Sequence, residues 1–268
     1  MHKTVLLTND DGINSLGLLA LRKELAKVTK VYCIAPESPS SAVSKALTFH
    51  KPLRYTKILF EDKSVGYSTT GSPADNVLLG FHLMKKKPDL TVSGINYGDN
   101  TSIHSILTSG TCAAAFESAF NKVPAVAFSA AVHNEAQLIN QQGIDFTPMA
   151  KIAKKVVEFI LKIDWPKNLS FLNVNFPTEI TNETKVYVTY PVLYKYDNYM
   201  VEKKDPRGLP YLWLWGQRKK QFPEGSDAWA VLEMNGISLT PIGFNFHKTS
   251  EGIVEMLNKL KEDMDESF

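Results

Sequence analysis

Thr8-Asn9-Asp10-Asp11-Gly12 sets two adjacent carboxylates beside a glycine, directly after the apolar run Val5-Leu6-Leu7. Neighbouring carboxylates repel and share a site poorly unless a positive charge lies between them. A divalent cation meets that need, and hard oxygen donors suit Mg²⁺ or Mn²⁺ rather than zinc. Along a straight strand Asp10 and Asp11 would point to opposite faces, so joint ligation requires a turn between them, which Gly12 permits. The same residues also make an ordinary turn with an aspartate capping the next helix. On this stretch alone both readings stay open.

Two further polar segments have related chemistry. Glu37-Ser38-Pro39-Ser40-Ser41-Ala42-Val43-Ser44 is hydroxyl-rich. It reads as plain loop or, beside the acidic turn, as a source of hydroxyls completing a metal or phosphate site. Ser109-Gly110-Thr111 precedes the small-residue run Cys112-Ala113-Ala114-Ala115. Free backbone N–H groups and the positive end of a helix dipole favour an anion there, although any helix accepts Ser or Thr at its cap.

The elements that must carry these segments are strands alternating with helices. Short apolar runs at residues 5–7, 31–35, 90–93, 123–129 and 171–176 read as buried strands. Leucines from Leu16 to Leu25 mark a helix, as does the stretch from Val77 to Met84, with Ser72 as its N-cap and Pro73 at its first position. Residues 145–162 carry a stripe of Ile152, Val156, Phe159 and Ile160. This alternation predicts an α/β fold, a Rossmann-like, mainly parallel sheet with helices on both faces. In such sheets ligands bind beyond the carboxyl ends of the strands, where the acidic turn, the loop at 37–44 and the polar segment at 95–100 fall. Residues 53–68 read as a hairpin excursion from that sheet. The segment 194–215 is aromatic, punctuated by Pro206, Gly208 and Pro210, and reads as a C-terminal β-hairpin or extended arm. A last strand at residues 236–242 and a charged amphipathic helix at 249–264 follow. The division is therefore a catalytic domain at 1–183 and an arm, hairpin and terminal helix at 184–268.

With 268 residues, 44% of them hydrophobic, the chain can bury a large core. Its 30 basic and 28 acidic residues leave a net charge of +2, which points to neither nucleic acid nor membrane. Cys33 and Cys112 sit in apolar or small-residue runs and make no disulfide framework. No apolar run approaches the ~18 residues of a membrane span, and no signal-peptide pattern opens the chain, so a cytoplasmic protein is expected. The Gly-x-Gly-x-x-Gly of a dinucleotide oxidoreductase is missing after the first strand.

Taken together, Thr8-Asn9-Asp10-Asp11-Gly12, Ala35-Pro36 with Ser41 and Ser44 ahead of Leu47-Thr48, Gly71-Ser72-Pro73-Ala74-Asp75, Ser93-Gly94-Ile95-Asn96, Ser109-Gly110-Thr111 and Asn173-Val174-Asn175 resemble the SurE (stationary-phase survival protein) family of metal-dependent 5′/3′-nucleotidases. The likeness runs from the first strand to Ser238-Leu239-Thr240-Pro241. It implies hydrolysis of nucleoside monophosphates to nucleoside and phosphate. It further implies one divalent cation per subunit, Mg²⁺ or Mn²⁺, held by Asp10, Asp11, Ser41 and Asn96. Asp10 and Asp11 would be catalytic, with Asn9, Asn100, Ser109, Gly110 and Thr111 binding phosphate. His104 is a candidate proton donor to the leaving oxygen. The resemblance also implies a homodimer or tetramer built by exchange of carboxy-terminal arms. Three positions depart from the family pattern: Ala42 where glycine is common, Ser72 where threonine is more usual, and Thr108 where an aromatic or histidine is frequent. A non-catalytic nucleotide- or phosphate-binding sensor is the alternative.

Overall fold

The computed structural model describes residues 3–132, 143–244 and 251–265. Nine strands form one sheet: β1 (Thr4–Thr8), β2 (Lys30–Pro36), β3 (Tyr55–Leu59), β4 (Val65–Thr69), β5 (Leu90–Tyr97), β6 (Ala125–Ala130), β7 (Phe171–Phe176), β8 (Val186–Val188) and β11 (Ile237–Ile242). The other two, β9 (Tyr196–Lys204) and β10 (Pro210–Arg218), pair with each other as a separate antiparallel hairpin. The helices are α1 (Leu16–Leu25), α2 (Pro73–Met84), α3 (Ile103–Thr108), α4 (Gly110–Phe120), α5 (Phe146–Ile160), α6 (Asp227–Leu232) and α7 (Glu251–Asp265).

The sheet order is β3-β4-β2-β1-β5-β6-β7-β11-β8. Only the β3/β4 and β7/β11 pairs run antiparallel. From β1 the chain first builds outward through β2 and β4, then returns to lay β5 on the opposite side of β1 and continues through β6 and β7. The connections leaving β1 and β5 therefore diverge, which opens a crevice at the carboxyl ends of these two central strands.

Every residue of β1 is buried, because helices cover both faces. Val5 and Leu7 pack into the cluster with α1 and α5, whereas Leu6 joins Val77, Met84 and Ala114 from α2 and α4. Alternation of side chains along the strand assigns them this way. Cys33 and Cys112 are buried and unpaired. Burial pushes each thiol up to about 12, so neither serves as a thiolate nucleophile at neutral pH.

Some elements differ from their sequence reading. The 53–68 hairpin is no excursion: β4 pairs parallel with β2, making the hairpin one edge of the main sheet. In α5 the buried stripe is Phe146, Met149, Ala150, Ala153, Val157 and Ile160, while Phe159 is 63% exposed. The buried face runs through two small alanines and is turned by about one position relative to the bulkiest side chains, and the helix packs mainly against α1. Ile152 and Val156 sit at its margin. The 72–84 helix is as expected, its capping box closed by Ser72 and Asp75. The terminal helix is described from Glu251 onward; residues 249 and 250 lie outside the described residues. Among the described residues no helix is long and apolar enough to cross a membrane.

Candidate active site

The acidic turn is stapled from within. Asn9 is wholly buried; its amide nitrogen donates to the Gly12 carbonyl (3.1 Å) and Ser15 Oγ (2.6 Å), and its oxygen accepts the Gly12 N–H (3.2 Å). Asn9 thus spends its polar atoms holding the bend, in which Gly12 has φ +100°. The bend leaves Asp10 and Asp11 on one cleft rather than on opposite faces of the sheet.

That cleft, about 350 Å³ in volume, is lined by Asp10, Asp11, Ser41, Asn96, Asn100 and Ser109, together with Asp99 and Lys195. Ser41 arrives on the loop after β2, tied down by the Ser40 N–H to the Asp10 carbonyl (2.7 Å) and by the Ser44 hydroxyl to the Leu107 carbonyl (2.7 Å). Ala42 beside it has φ +54°, a conformation glycine would adopt without strain. Asn96 is aimed by an extra residue in β5 between the pairs Ser93/Ala127 and Asn96/Ser129. Its amide nitrogen donates to the Gly98 carbonyl (2.6 Å), leaving the side-chain oxygen for the cleft. Asn100 is held by Ser129 Oγ (2.8 Å) and Asn175 Oδ1 (2.7 Å).

The start of α4 abuts the turn. Thr111 Oγ1 donates to Asp10 Oδ1, and the Gly110 and Thr111 amides also donate to that carboxylate. A Cβ on Gly110 would stand 2.8 Å from both Cβ and Oδ2 of Asp10, so the approach needs glycine. Ser109 caps the helix through the Cys112 N–H (3.1 Å). Gly110 and Thr111 thus touch Asp10, and Ser109 lines the cleft itself.

Among the described residues, no cationic side chain pairs with either carboxylate of the turn. Burial raises Asp10 above the ordinary carboxylate range despite its donors. Burial, and then the charge of Asp10, push Asp11 up to about 7, although the Tyr97 N–H at 2.9 Å favours its ionised form. A cation between them would relieve both effects. Among the described residues no group of three or more His, Cys, Asp or Glu gathers as a metal site. The donor set here is instead two carboxylates, a hydroxyl and an amide oxygen, which fits a hard ion that retains water ligands.

His104 does not join this cleft. It is exposed on α3 and lines a neighbouring groove with Ile103, Leu107 and Tyr194. Another groove, about 680 Å³, lies between α1, β3 and the start of α5; its wall includes Leu16, Leu19, Ile58 and Phe60 and neither aspartate of the turn. The sequence reading passed over Lys195, Asp99 and Asp227. Lys195 stands between two tyrosines on the arm and resembles any solvated lysine. Asp227 is fully buried and receives the N–H groups of Ser102 (2.7 Å), Val192 (3.2 Å) and Ala228 (2.8 Å), while burial pushes it up to about 6. It ties the start of α3 to the arm's root.

Sheet order, helices on both faces and an acidic, oxygen-lined cleft at the switch point define a Rossmann-like α/β protein with an anion-favouring helix terminus beside a cation-seeking turn. Residues 5–198 match the family described as survival protein SurE. Similar chains include the 5′-nucleotidase SurE of Thermofilum pendens, 37% identical over 97% of this chain and 98% of its own length. The 5′-nucleotidase SurE of Thermococcus kodakarensis is 37% identical over 90% and 92%. The crystal structure of the SurE protein from Aquifex aeolicus superposes with a TM-score of 0.79 at 34% identity, covering 96% of this chain and 99% of that one. The chain belongs to the SurE family.

Proposed function

We propose that this SurE-family protein is a cytoplasmic, divalent-metal-dependent 5′-nucleotidase, hydrolysing nucleoside monophosphates to nucleoside and phosphate. The observation that carries this reading is convergence. Oxygen donors from the β1 turn, the loop after β2 and the end of β5 line one cleft, and α4 begins at its wall.

Asp10, Asp11, Ser41 and Asn96 would hold one Mg²⁺ or Mn²⁺ per subunit. When bound, the ion supplies charge neutralisation for phosphoryl oxygens and a more acidic water. The protein contributes positioning. Asn9 fixes the turn, Thr111 and the α4 amides orient Asp10, the Tyr97 N–H orients Asp11, and Ser109 and Asn100 offer polar contacts to the phosphate. Wild-type protein is expected to release phosphate from nucleoside monophosphates with Mn²⁺ or Mg²⁺. Chelator should abolish that release, and readded Mn²⁺ restore it. Nucleotide binding without release under any divalent ion would establish the sensor reading instead.

We also propose that the arm at residues 194–215, within the 184–268 region, is exchanged between subunits of a dimer or tetramer. Along β9 and β10, Met200, Leu212, Trp213 and Leu214 are each about 60% exposed, an apolar surface unusual for a solitary hairpin. Sedimentation should give a dimer or larger, and Trp213→Glu with Leu214→Glu should shift it toward monomer. A monomeric wild type would remove this assignment.

A further inference from the structure

Lys195 is a buried cation in the wall of the acidic cleft. Its side chain is 5% exposed, and its ammonium pairs with the Asp99 carboxylate and donates to the Asp99 carbonyl at 2.9 Å. Burial alone would raise Asp99, but the Lys195 charge and the hydrogen bonds from Lys195 and Thr101 outweigh it and hold the carboxyl below its ordinary value. An ammonium carries three donors. Asp99 takes two; the Tyr196 ring centroid lies 5.6 Å from the ammonium, and no oxygen or nitrogen of a described residue accepts the third. Lys195 and Asp99 line the same cleft as Asp10, Asp11 and Ser109. A buried ion pair usually stabilises no better than apolar side chains of similar volume, so a pair built into a site wall calls for another use.

We propose that Lys195 is a substrate-contacting residue whose remaining N–H binds a non-bridging oxygen of the phosphoryl group, with Asp99 holding the ammonium in place. The inference rests on this cleft being the nucleotidase site. Lys195 is the residue immediately before β9, and the Lys219 N–H closes the arm's root onto its carbonyl (3.0 Å). The arm, which lies outside the Rossmann-like core, thereby delivers a cation to the cleft that Ser109 also lines. The phosphate would meet that cation while Asp10 and Asp11 face the metal.

The test uses the full-length protein with Mn²⁺ and inorganic phosphate as the probe. Lys195→Met should bind phosphate at least about tenfold more weakly and raise KM for a nucleoside monophosphate similarly, the loss expected for a hydrogen bond to a charged group. Lys195→Arg should recover most of the affinity. A folded Lys195→Met protein with unchanged phosphate affinity would reduce the pair to a latch and overturn the proposal. A latch alone would lower the melting temperature without moving phosphate affinity. Should the methionine variant fail to fold, the side-chain amine NMR signal of Lys195 in wild type decides: a shift on phosphate titration supports the contact, and a static signal through saturation refutes it. Phosphate binding at Lys195 in a protein that hydrolyses no nucleotide would fault the nucleotidase reading and leave this contact standing.

Discussion

Asp10→Asn should lower phosphate release by about 1,000-fold or more and leave the fold intact. Asparagine nearly matches the aspartate in shape, and its Oδ1 can still accept the Thr111 hydroxyl. What disappears is one of the two anionic ligands that make the turn attractive to a hard cation. The metal-free wild type already bears the cost of burying two neighbouring carboxylates, visible in Asp11 being pushed to about 7 by burial and by Asp10. Removing one charge relieves that repulsion, so the variant's melting temperature in chelator should lie within about 5 °C of wild type or above it. Activity and stability are thus expected to part. A variant that unfolds would make Asp10 a structural residue. One that keeps a tenth of wild-type turnover would remove the metal from its carboxylate.

The acidic turn was legible because its chemistry is local: an apolar run, two carboxylates and a glycine lie within eight residues, from Val5 to Gly12. The anion-favouring start of α4 was legible for the same reason. What brings them together is the strand order, with β5 laid against β1 after the chain has already built β2 and β4 on the other side. Long-range pairing leaves no trace in local periodicity. The bulge that aims Asn96 depends on the register of β5 against β6, and the joining of β4 to β2 depends on an edge left open by β2. Lys195 was missed because the carboxylate it pairs with is not the nearby Asp197 but Asp99, 96 residues away in sequence. The α5 stripe was misjudged because large side chains were counted as the core face, whereas the buried face includes Ala150 and Ala153 and packs mainly on α1. Bulk marks hydrophobicity, but close packing between elements often requires its absence.

The close approach of α1 to β5 makes Gly17→Ala a substitution expected to cost heavily in stability. A Cβ at Gly17 would lie 2.0 Å from the Ile95 carbonyl oxygen, 3.0 Å from its carbon and 3.3 Å from Cε1 of Phe146. On an exposed helix the same change would gain up to ~1 kcal/mol in helix propensity. Here the obstacle is backbone in the central sheet, which no rotamer change can move, so helix and strand must separate. Overpacking typically costs about 1–3 kcal/mol when side chains can adjust, and at least about 3 kcal/mol is expected where they cannot. For a chain of this size that is a fall in melting temperature of roughly 6–12 °C. Ile95 immediately precedes Asn96, so the displacement should also weaken the response to Mn²⁺, unlike a purely global loss of stability. Gly208→Ala is the control: its φ of +82° strains an alanine, but nothing lies within 4 Å of the added Cβ. That variant should lose about 1 kcal/mol and no Mn²⁺ affinity. Equal melting temperatures for the two would mean that α1 is free to ride away from β5, and the cleft would then owe its shape to the turn alone.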